Sequence, residues 1–416
     1  MDQADVVIIG AGAIGVCTAH YISKSTRRIV VVERGEVCVG CSYGNAGMLV
    51  PSHCVPLAEP KAVSQGFRWM FSPESPFYIK PRLDRELISW LWRFLRAANP
   101  RQVQAAMPLI RDLSLESLRL FEDLAGSFDF GLRCNGAVYL CRTESGFESL
   151  VRESLHLSEV GIQIEILTPD EIQALQPDVR FDVVGGVRYP QDGHLDPARF
   201  VTGLASRLID DGVDIRTQTE VLGFEFTDDA RLSVVRTTKG DILASEVVLA
   251  GGAWSPSLTE YLDLHLPIQP AKGYSVTVKK PEKAPGLPLM LTEARVGVNP
   301  MADTLRFAGT LELAGLDLTI NPRRVQAILD AFPRYLPDLD PEVLDLVEVW
   351  RGLRPCTPDG LPFLGRSLSH PNLTVAAGHA MIGISLAPAT GRIAADVVLG
   401  ESSGFDLSLM KVDRFT

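Results

Sequence analysis

No uninterrupted apolar run of about 20 residues, the length a membrane-spanning helix needs, occurs in this chain. The tempting stretch, residues 6–19, is too short and is broken by Gly10, Gly12 and Gly15. A basic surface is also missing: 40 Lys and Arg stand against 51 Asp and Glu, a formal net charge of -11. Nucleic-acid binding needs clustered cations on a basic domain, so that class of partner is excluded. Cysteine is sparse, and seven in 416 residues is an odd number that offers no disulfide framework. The N-terminus, Met-Asp-Gln-Ala-Asp, lacks the basic start of a signal peptide and runs straight into an apolar strand, which points to the cytoplasm. Low-complexity tracts and charge blocks are absent. With 46% hydrophobic and 22% charged residues the chain has ample material for a core, so disorder is excluded.

Such a length makes two domains or one large one. Val6 to Ile9 is a continuous apolar run, as in a strand buried on both faces of a parallel sheet, and Ile29 to Val32 is a second. Between them Gly10-Ala11-Gly12-Ala13-Ile14-Gly15 fits G-x-G-x-x-G and opens a helix that runs to about Lys24. The first glycine permits the tight turn, the second lets backbone approach a pyrophosphate, and the third allows close helix–strand packing. Glu33 ends the second strand, eighteen positions past Gly15, where a ribose hydroxyl would meet it. Strand, helix and spaced acid together mark a dinucleotide site without choosing between FAD and NAD.

Residues 35–82 are rich in Gly, Pro and Ser and have little periodicity, as expected of a long active-site connection. Helical spacing follows over 84–98, 111–124 and 197–209, the last capped by Asp196. Alternation from Ile268 to Phe307 predicts antiparallel strands, and the tail returns to a strand at 372–376 and a helix from about 388 to 399. The predicted fold is α/β, a Rossmann-like domain with an inserted α+β substrate domain built on an antiparallel sheet. The first is assigned residues 1–60, 190–262 and 345–416, and the second 61–189 and 263–344.

Four further stretches carry a family resemblance: Cys41-Ser42-Tyr43-Gly44-Asn45-Ala46-Gly47-Met48, Gly251-Gly252-Ala253-Trp254-Ser255, Trp350 to Gly360, and Gly378-His379-Ala380-Met381-Ile382-Gly383. With the fingerprint, they resemble the FAD-dependent D-amino acid oxidase/dehydrogenase family, which includes glycine oxidase and sarcosine oxidase. Lys272-Gly273-Tyr274-Ser275 makes the likeness strongest to bacterial D-amino acid dehydrogenases. The resemblance implies an FAD held in extended form. Its cofactor contacts would be Gly10 to Gly15, Glu33, Arg34, Ser42, Asn45, Ala46, Gly47, Met48, Val221, Ala250, Gly251, Trp254, Gly378, His379, Met381, Gly383 and Ile384. Ser42 matches the position that contacts phosphate, Ala46 to Met48 the flavin ring, Val221 the adenine side, and Ala250 and Gly251 the pyrophosphate.

The resemblance also implies that Arg354, in Gly352-Leu353-Arg354-Pro355, holds a substrate carboxylate. A guanidinium suits that task because it is always charged and bonds carboxylates bidentately. Arg351 is assigned to the framework, and Tyr274 and His53 are placed in the pocket wall. His379 has a second reading as a core histidine. Sarcosine oxidase-like members bind flavin covalently through a Cys; here Arg354 takes that position and Cys356 lies two residues beyond, so non-covalent FAD is expected. Glycine oxidase-like members carry an Arg where this chain has Met381, which suggests a more apolar pocket.

Two constellations remain. Cys38, Cys41, His53 and Cys54 resemble metal ligands, but a second C-x-x-C is missing and the loop is needed for the cofactor, so no metal is expected. Trp90, Trp92, Phe94 and Leu95, with Arg93 and Arg96, could lie on a membrane surface. The expected reaction is oxidation of the Cα–N bond of a D-amino acid or cyclic imino acid, by hydride transfer to flavin N5. The imine then gives a 2-oxo acid, and quinone or oxygen takes the electrons. The alternatives are an FAD-carrying subunit of an electron-transfer complex and a sarcosine-type demethylating oxidase. Homo- or hetero-oligomers are compatible with either.

Overall fold

Apolar runs without a polar face can be satisfied only inside a sheet covered on both sides. The computed structural model, which describes residues 2–60, 77–80 and 82–415, places both runs there. β1 (Asp2–Ile9) pairs in parallel with β2 (Ile29–Val32) on one side and β12 (Ile242–Leu249) on the other. β9 (Asp214–Arg216) extends the sheet beyond β2, and β19 (Leu373–Ala377) beyond β12, both in parallel. An antiparallel ribbon, β10 (Val221–Phe226) with β11 (Leu232–Thr237), joins β12, and β18 (Phe363–Arg366) lies antiparallel to β19.

Period-two alternation divides β1 between two cores. Val6 and Ile8 pack with Val16, Leu204 and Ala395 beneath α1 (Ala13–Ile22), α4 (Pro197–Asp210) and α6 (Ala387–Leu399). Val7 and Ile9 face the opposite way, toward Val221, Leu232 and Val375. α6 approaches α1 closely because residue 391 is glycine: a Cβ there would lie 2.6 Å from the Cys17 backbone.

The second sheet is mostly antiparallel. Its order is β17 (Leu346–Cys356), β13 (Gln269–Lys279), β16 (Thr304–Leu313), β15 (Val296–Pro300), β14 (Leu289–Leu291), β5 (Ala137–Cys141), β7 (Gly185–Tyr189) and β6 (Glu165–Leu167), with β4 (Phe77–Ile79) parallel to β16. Tyr274, Val276 and Val278 of β13 point into a core with Phe307, Ile328 and Phe332 beneath α5 (Pro322–Ala331). The alternate positions, Gly273, Ser275 and Thr277, face the other side. A two-stranded ribbon, β3 (Met48–Leu49) with β8 (Gly193–His194), lies between the sheets.

Two expectations change. The division at residue 345 is displaced, because β17 needs a partner for its backbone and finds it along β13, from Gln269↔Cys356 to Val278↔Leu346. The chain returns to the first sheet only at β18. The helix expected from 111 begins at Pro100, since Asn99 caps α3 (Pro100–Ala125) by accepting from the Gln102 N–H, and the helix continues through Pro108. Residues 61–76, part of the expected site connection and of the second domain, lie outside the described residues. Among the described residues no helix is long and apolar enough to cross a membrane.

Candidate active site

In an open parallel sheet, ligands bind beyond the carboxyl ends of the strands. Here β1, β2, β12 and β19 end together. Gly10, at φ 108°, turns the chain out of β1, and its N–H donates to Val32 O at 2.8 Å. Ala250, directly after β12, donates to Ile9 O at 2.9 Å. Gly251 follows at the turn. α1 begins at Ala13 with Gly12 as a cap that has no side chain, so the cap residue supplies no bond to the first-turn N–H groups. The Ala13 N–H donates to Ser42 Oγ at 3.1 Å, which brings the expected phosphate-contacting hydroxyl to the helix end. The Glu33 carboxylate accepts from Ala11 N–H and Gly35 N–H, each at 2.9 Å. Thr219 N–H donates to Glu33 O at 2.8 Å, and Val221 starts β10 two residues after Thr219. The Arg34 guanidinium lies 3.9 Å from the centroid of Trp254.

From this point the chain crosses to the second sheet. Arg306 donates to the Tyr43 and Asn45 carbonyls, and Asn299 to the Ala46 carbonyl. Asn45 Oδ1 accepts from Gly47 N–H at 2.9 Å. Gly47 has φ 73°, and a Cβ there would lie 2.3 Å from Leu195 O. Trp350 packs on Gly44 and on Gly352, either of which would collide with it if it carried a side chain. On the same face of β17 stands Arg354, half-buried, with its guanidinium over Gly273. Arg354 Nη1 donates to Thr310 O at 2.8 Å. Among the described residues no carboxylate lies within ion-pairing distance of it. Arg351, on the opposite face, donates to Leu318 O as a framework residue would.

The C-terminal stretch closes the site. His379 bridges to Cys356, and Ala380 N–H donates to Pro355 O at 2.9 Å, so residues 378–383 lie beside the end of β17 that carries Arg354. Gly378 has φ 89°, Gly383 lies against the His379 Cβ, and Met381 is 42% exposed. The Ile384 side chain packs in the core beneath α1, which leaves its backbone as its means of contact.

Three expected side chains stand elsewhere or act differently. Tyr274 is not a pocket residue: strand alternation puts it opposite Gly273, in the core under α5, where its hydroxyl donates to Glu312 at 2.8 Å. His379 is a buried core histidine whose Nε2 meets Thr390 Oγ1 at 3.1 Å, and burial pushes its pKa down to about 3. His53 packs edge-on against Tyr139, and burial, reinforced by Arg295, pushes it down to about 4. Both histidines are neutral at pH 7, and no bond joins either to Arg354 among the described residues. Of the four cysteine and histidine candidates, burial pushes the Cys38 thiol up to about 12 and Cys54 up to about 11. Among the described residues no group of three His, Cys, Asp or Glu is arranged to hold a metal.

The sequence reading did not single out Arg306, Asn299, Thr310 or Asp192. Asp192 is fully buried and accepts from the Ser52 N–H at 3.1 Å and the Ser52 hydroxyl at 2.6 Å, pinning the turn before His53. Burial pushes its carboxyl up to about 7. An unfolded Asp releases its proton near 3.9, so between about pH 4 and 7 the folded state binds more protons and stability falls as pH rises. Asp192→Asn removes this penalty. Thermal melts across pH 4.5–8.5 should show the variant gaining on the parent by about 1–3 kcal/mol up to pH 7 and no further above it. A gap independent of pH would contradict that assignment.

The donor set fits an extended FAD: a helix end and hydroxyl for pyrophosphate, a carboxylate for ribose, and a small-residue loop for a flat ring. Comparisons agree. Residues 5–397 match the model of a family described as FAD dependent oxidoreductase. A D-amino acid dehydrogenase of Paramagnetospirillum magneticum is 33% identical over 421 residues, covering 99% of both chains. Another, from Vibrio atlanticus, is 31% identical over 427 residues, covering 99% of this chain and 100% of its own. Glycine oxidase from Geobacillus kaustophilus superposes with a TM-score of 0.80 at 26% identity, over 100% of each chain. Fingerprint, sheet order and full-length similarity agree that the chain belongs to the FAD-dependent oxidoreductase family.

Proposed function

We propose that this chain oxidises the Cα–N bond of a D-amino acid or cyclic imino acid whose carboxylate is held by Arg354. The observation that carries the reading is the state of that guanidinium. It has a single backbone acceptor, Thr310 O, no carboxylate partner among the described residues, and a place beside the 378–383 turn. An Arg held this way has donors left for a ligand. The relatives named D-amino acid dehydrogenase support this substrate class and stereochemistry.

The first turn of α1 with Ser42 would hold the pyrophosphate, Glu33 the ribose, and the Val221 backbone the adenine side. Ala46 to Met48 and the 378–383 turn would meet the flavin ring. When bound, FAD supplies the two-electron acceptor for a hydride leaving Cα. Arg354 fixes the carboxylate, and with it the direction in which the Cα hydrogen points, so the protein contributes orientation. His53 and His379 are neutral, and no side-chain base is assigned; the substrate ammonium loses its proton before the hydride leaves. The imine then takes up water and releases a 2-oxo acid and ammonia, or leaves intact when cyclic. Non-covalent attachment is supported by Cys356, whose thiol burial pushes up to about 12, which keeps it protonated and a poor nucleophile. Met381 in place of a cation favours apolar side chains.

The test is product analysis with an artificial electron acceptor. A D-amino acid should yield its 2-oxo acid and ammonia, whereas formaldehyde from an N-methylglycine would move the assignment to demethylation.

We further propose that the acceptor is a membrane quinone met at the inner membrane face through α2 (Arg85–Ala97). Ile88, Trp92 and Leu95 are exposed on it, beside Arg96. Trp90 and Phe94 do not contribute as first expected: they stack on each other, and Trp90 is buried with its N–H donating to Cys356 O. Co-sedimentation with anionic vesicles, lost in Trp92→Ser, tests the contact; no sedimentation of the parent protein would refute it.

A further inference from the structure

Arg306 lies in the middle of β16 and is 5% exposed, yet among the described residues no carboxylate is within ion-pairing distance of it. The acids that face it, Asp196 and Glu348, act from farther away, and burial still pulls the guanidinium's pKa down. A buried cation is unfavourable unless its hydrogen bonds are well made. Its Nε donates to Thr277 Oγ1 at 3.0 Å, and Nη1 donates to Tyr43 O at 3.1 Å and Asn45 O at 3.0 Å. These two carbonyls bracket Gly44, the residue packed on Trp350.

The next two carbonyls are held as well. Asn299 Nδ2 donates to Ala46 O at 2.7 Å, and Leu195 N–H donates to Gly47 O at 2.9 Å. Asn299 Oδ1 lies 2.7 Å from Nδ1 of the buried His194, which fixes which end of the amide points at Ala46. The carbonyls of residues 43, 45 and 46 are therefore drawn toward the second sheet, and that of residue 47 toward the chain that follows β8. Among the described residues the Gly44 and Ala46 N–H groups donate to nothing.

We propose that Arg306 is a positioning residue for FAD. By drawing the Tyr43 and Asn45 carbonyls back into the second sheet, it turns the N–H groups of the same two peptide units, those of Gly44 and Ala46, toward the flavin ring. The inference rests on the placement of Ala46 to Met48 at that ring. Arginine suits the task because its fork reaches Thr277 with one nitrogen and both carbonyls with another, whereas lysine ends in a single nitrogen.

The experiment compares Arg306→Met, Arg306→Lys and Gly47→Ala holoenzymes by FAD retention on dilution and by the fine structure of the visible flavin band. Arg306→Met should hold FAD about 10-fold more weakly and lose the resolved shoulders of the band, since two charge-assisted bonds that shape the loop are gone. Arg306→Lys should recover part of both. Should Arg306→Met not fold, Arg306→Lys decides: an intermediate loss supports the proposal, and parental behaviour overturns it. Gly47→Ala separates the two layers of the inference, because its Cβ would distort the loop directly. Altered flavin properties in Gly47→Ala with none in the Arg306 variants would overturn the role of Arg306 alone. Unchanged properties in Gly47→Ala would overturn the placement of the loop. A variant that melts earlier but keeps parental affinity and band shape would reduce Arg306 to a framework residue.

Discussion

Arg354→Met is expected to lower kcat/KM for the preferred amino acid by about 1,000-fold while leaving bound FAD at the parental level. The size follows from what the proposed role would lose: a charge-assisted, bidentate contact that both binds the carboxylate and sets the direction of the Cα hydrogen. The loss should appear in kcat as well as KM, because a substrate held without its anchor samples orientations in which Cα–H does not face the acceptor. Arg354→Lys should recover only a small part, since an ammonium restores charge without the planar fork. The guanidinium also depends on the residue beneath it. A Cβ on Gly273 would lie 1.7 Å from Nη1, so Gly273→Ala should displace the anchor and lower kcat/KM in the same direction without touching the FAD. Steady-state kinetics with flavin content measured on the same samples decides the matter. A variant with near-parental kcat/KM would remove Arg354 from the binding site.

Gly10→Ala should yield a protein that folds poorly and cannot keep its flavin. Two independent facts act against a side chain there. The backbone adopts φ 108°, a conformation that L-residues rarely reach, and a Cβ would lie 2.5 Å from the Ala250 carbonyl oxygen. Backbone cannot move aside as a flexible side chain would, so either the turn out of β1 or the end of β12 must shift, and both border the proposed pyrophosphate position. Strain of about 1–3 kcal/mol together with a displaced helix end should weaken FAD by on the order of 100-fold. Gly12→Ala makes an internal comparison, because within the protein its Cβ would meet only Ser42 Oγ at 3.4 Å, so it should fold normally and act on the pyrophosphate alone. The flavin-to-protein ratio after purification should therefore be low for both variants, with an early thermal melt only in Gly10→Ala. A stoichiometric flavin in Gly10→Ala would show that the turn is not part of the cradle.

The first sheet was legible in the sequence because its signals are local. Val6–Ile9, Gly10–Gly15 and Glu33 define strand, turn, helix and acid within thirty-odd residues, and the structure closes them as expected. The second sheet was harder to read, since its meaning depends on which strands become neighbours. Tyr274 was misplaced for this reason: one step along β13 separates the face that carries Gly273 from the core beneath α5, and only the partner strands tell which is which. Leu346–Cys356 was given to the wrong unit because the ladder that claims it lies some eighty residues earlier. Arg306 did leave a trace, a cation between Leu305 and Phe307 in an apolar strand, yet its purpose depends on a loop about 260 residues away. Asp192 left none, because its buried place is fixed by Ser52, about 140 residues earlier in the chain.

The site residues belong to one constellation only if a substrate of the proposed class reduces the flavin. The most direct measurement is an anaerobic visible spectrum of the purified holoenzyme, titrated with D-amino acids, D-proline analogues, their L-enantiomers and N-methylglycines. The expected result is bleaching of the flavin band by one D-class in the parent enzyme and a far slower bleaching in Arg354→Met. A flavin that stays oxidised with every D-amino acid and cyclic imino acid, or that is bleached equally fast without Arg354, would contradict the proposed reaction and its anchor.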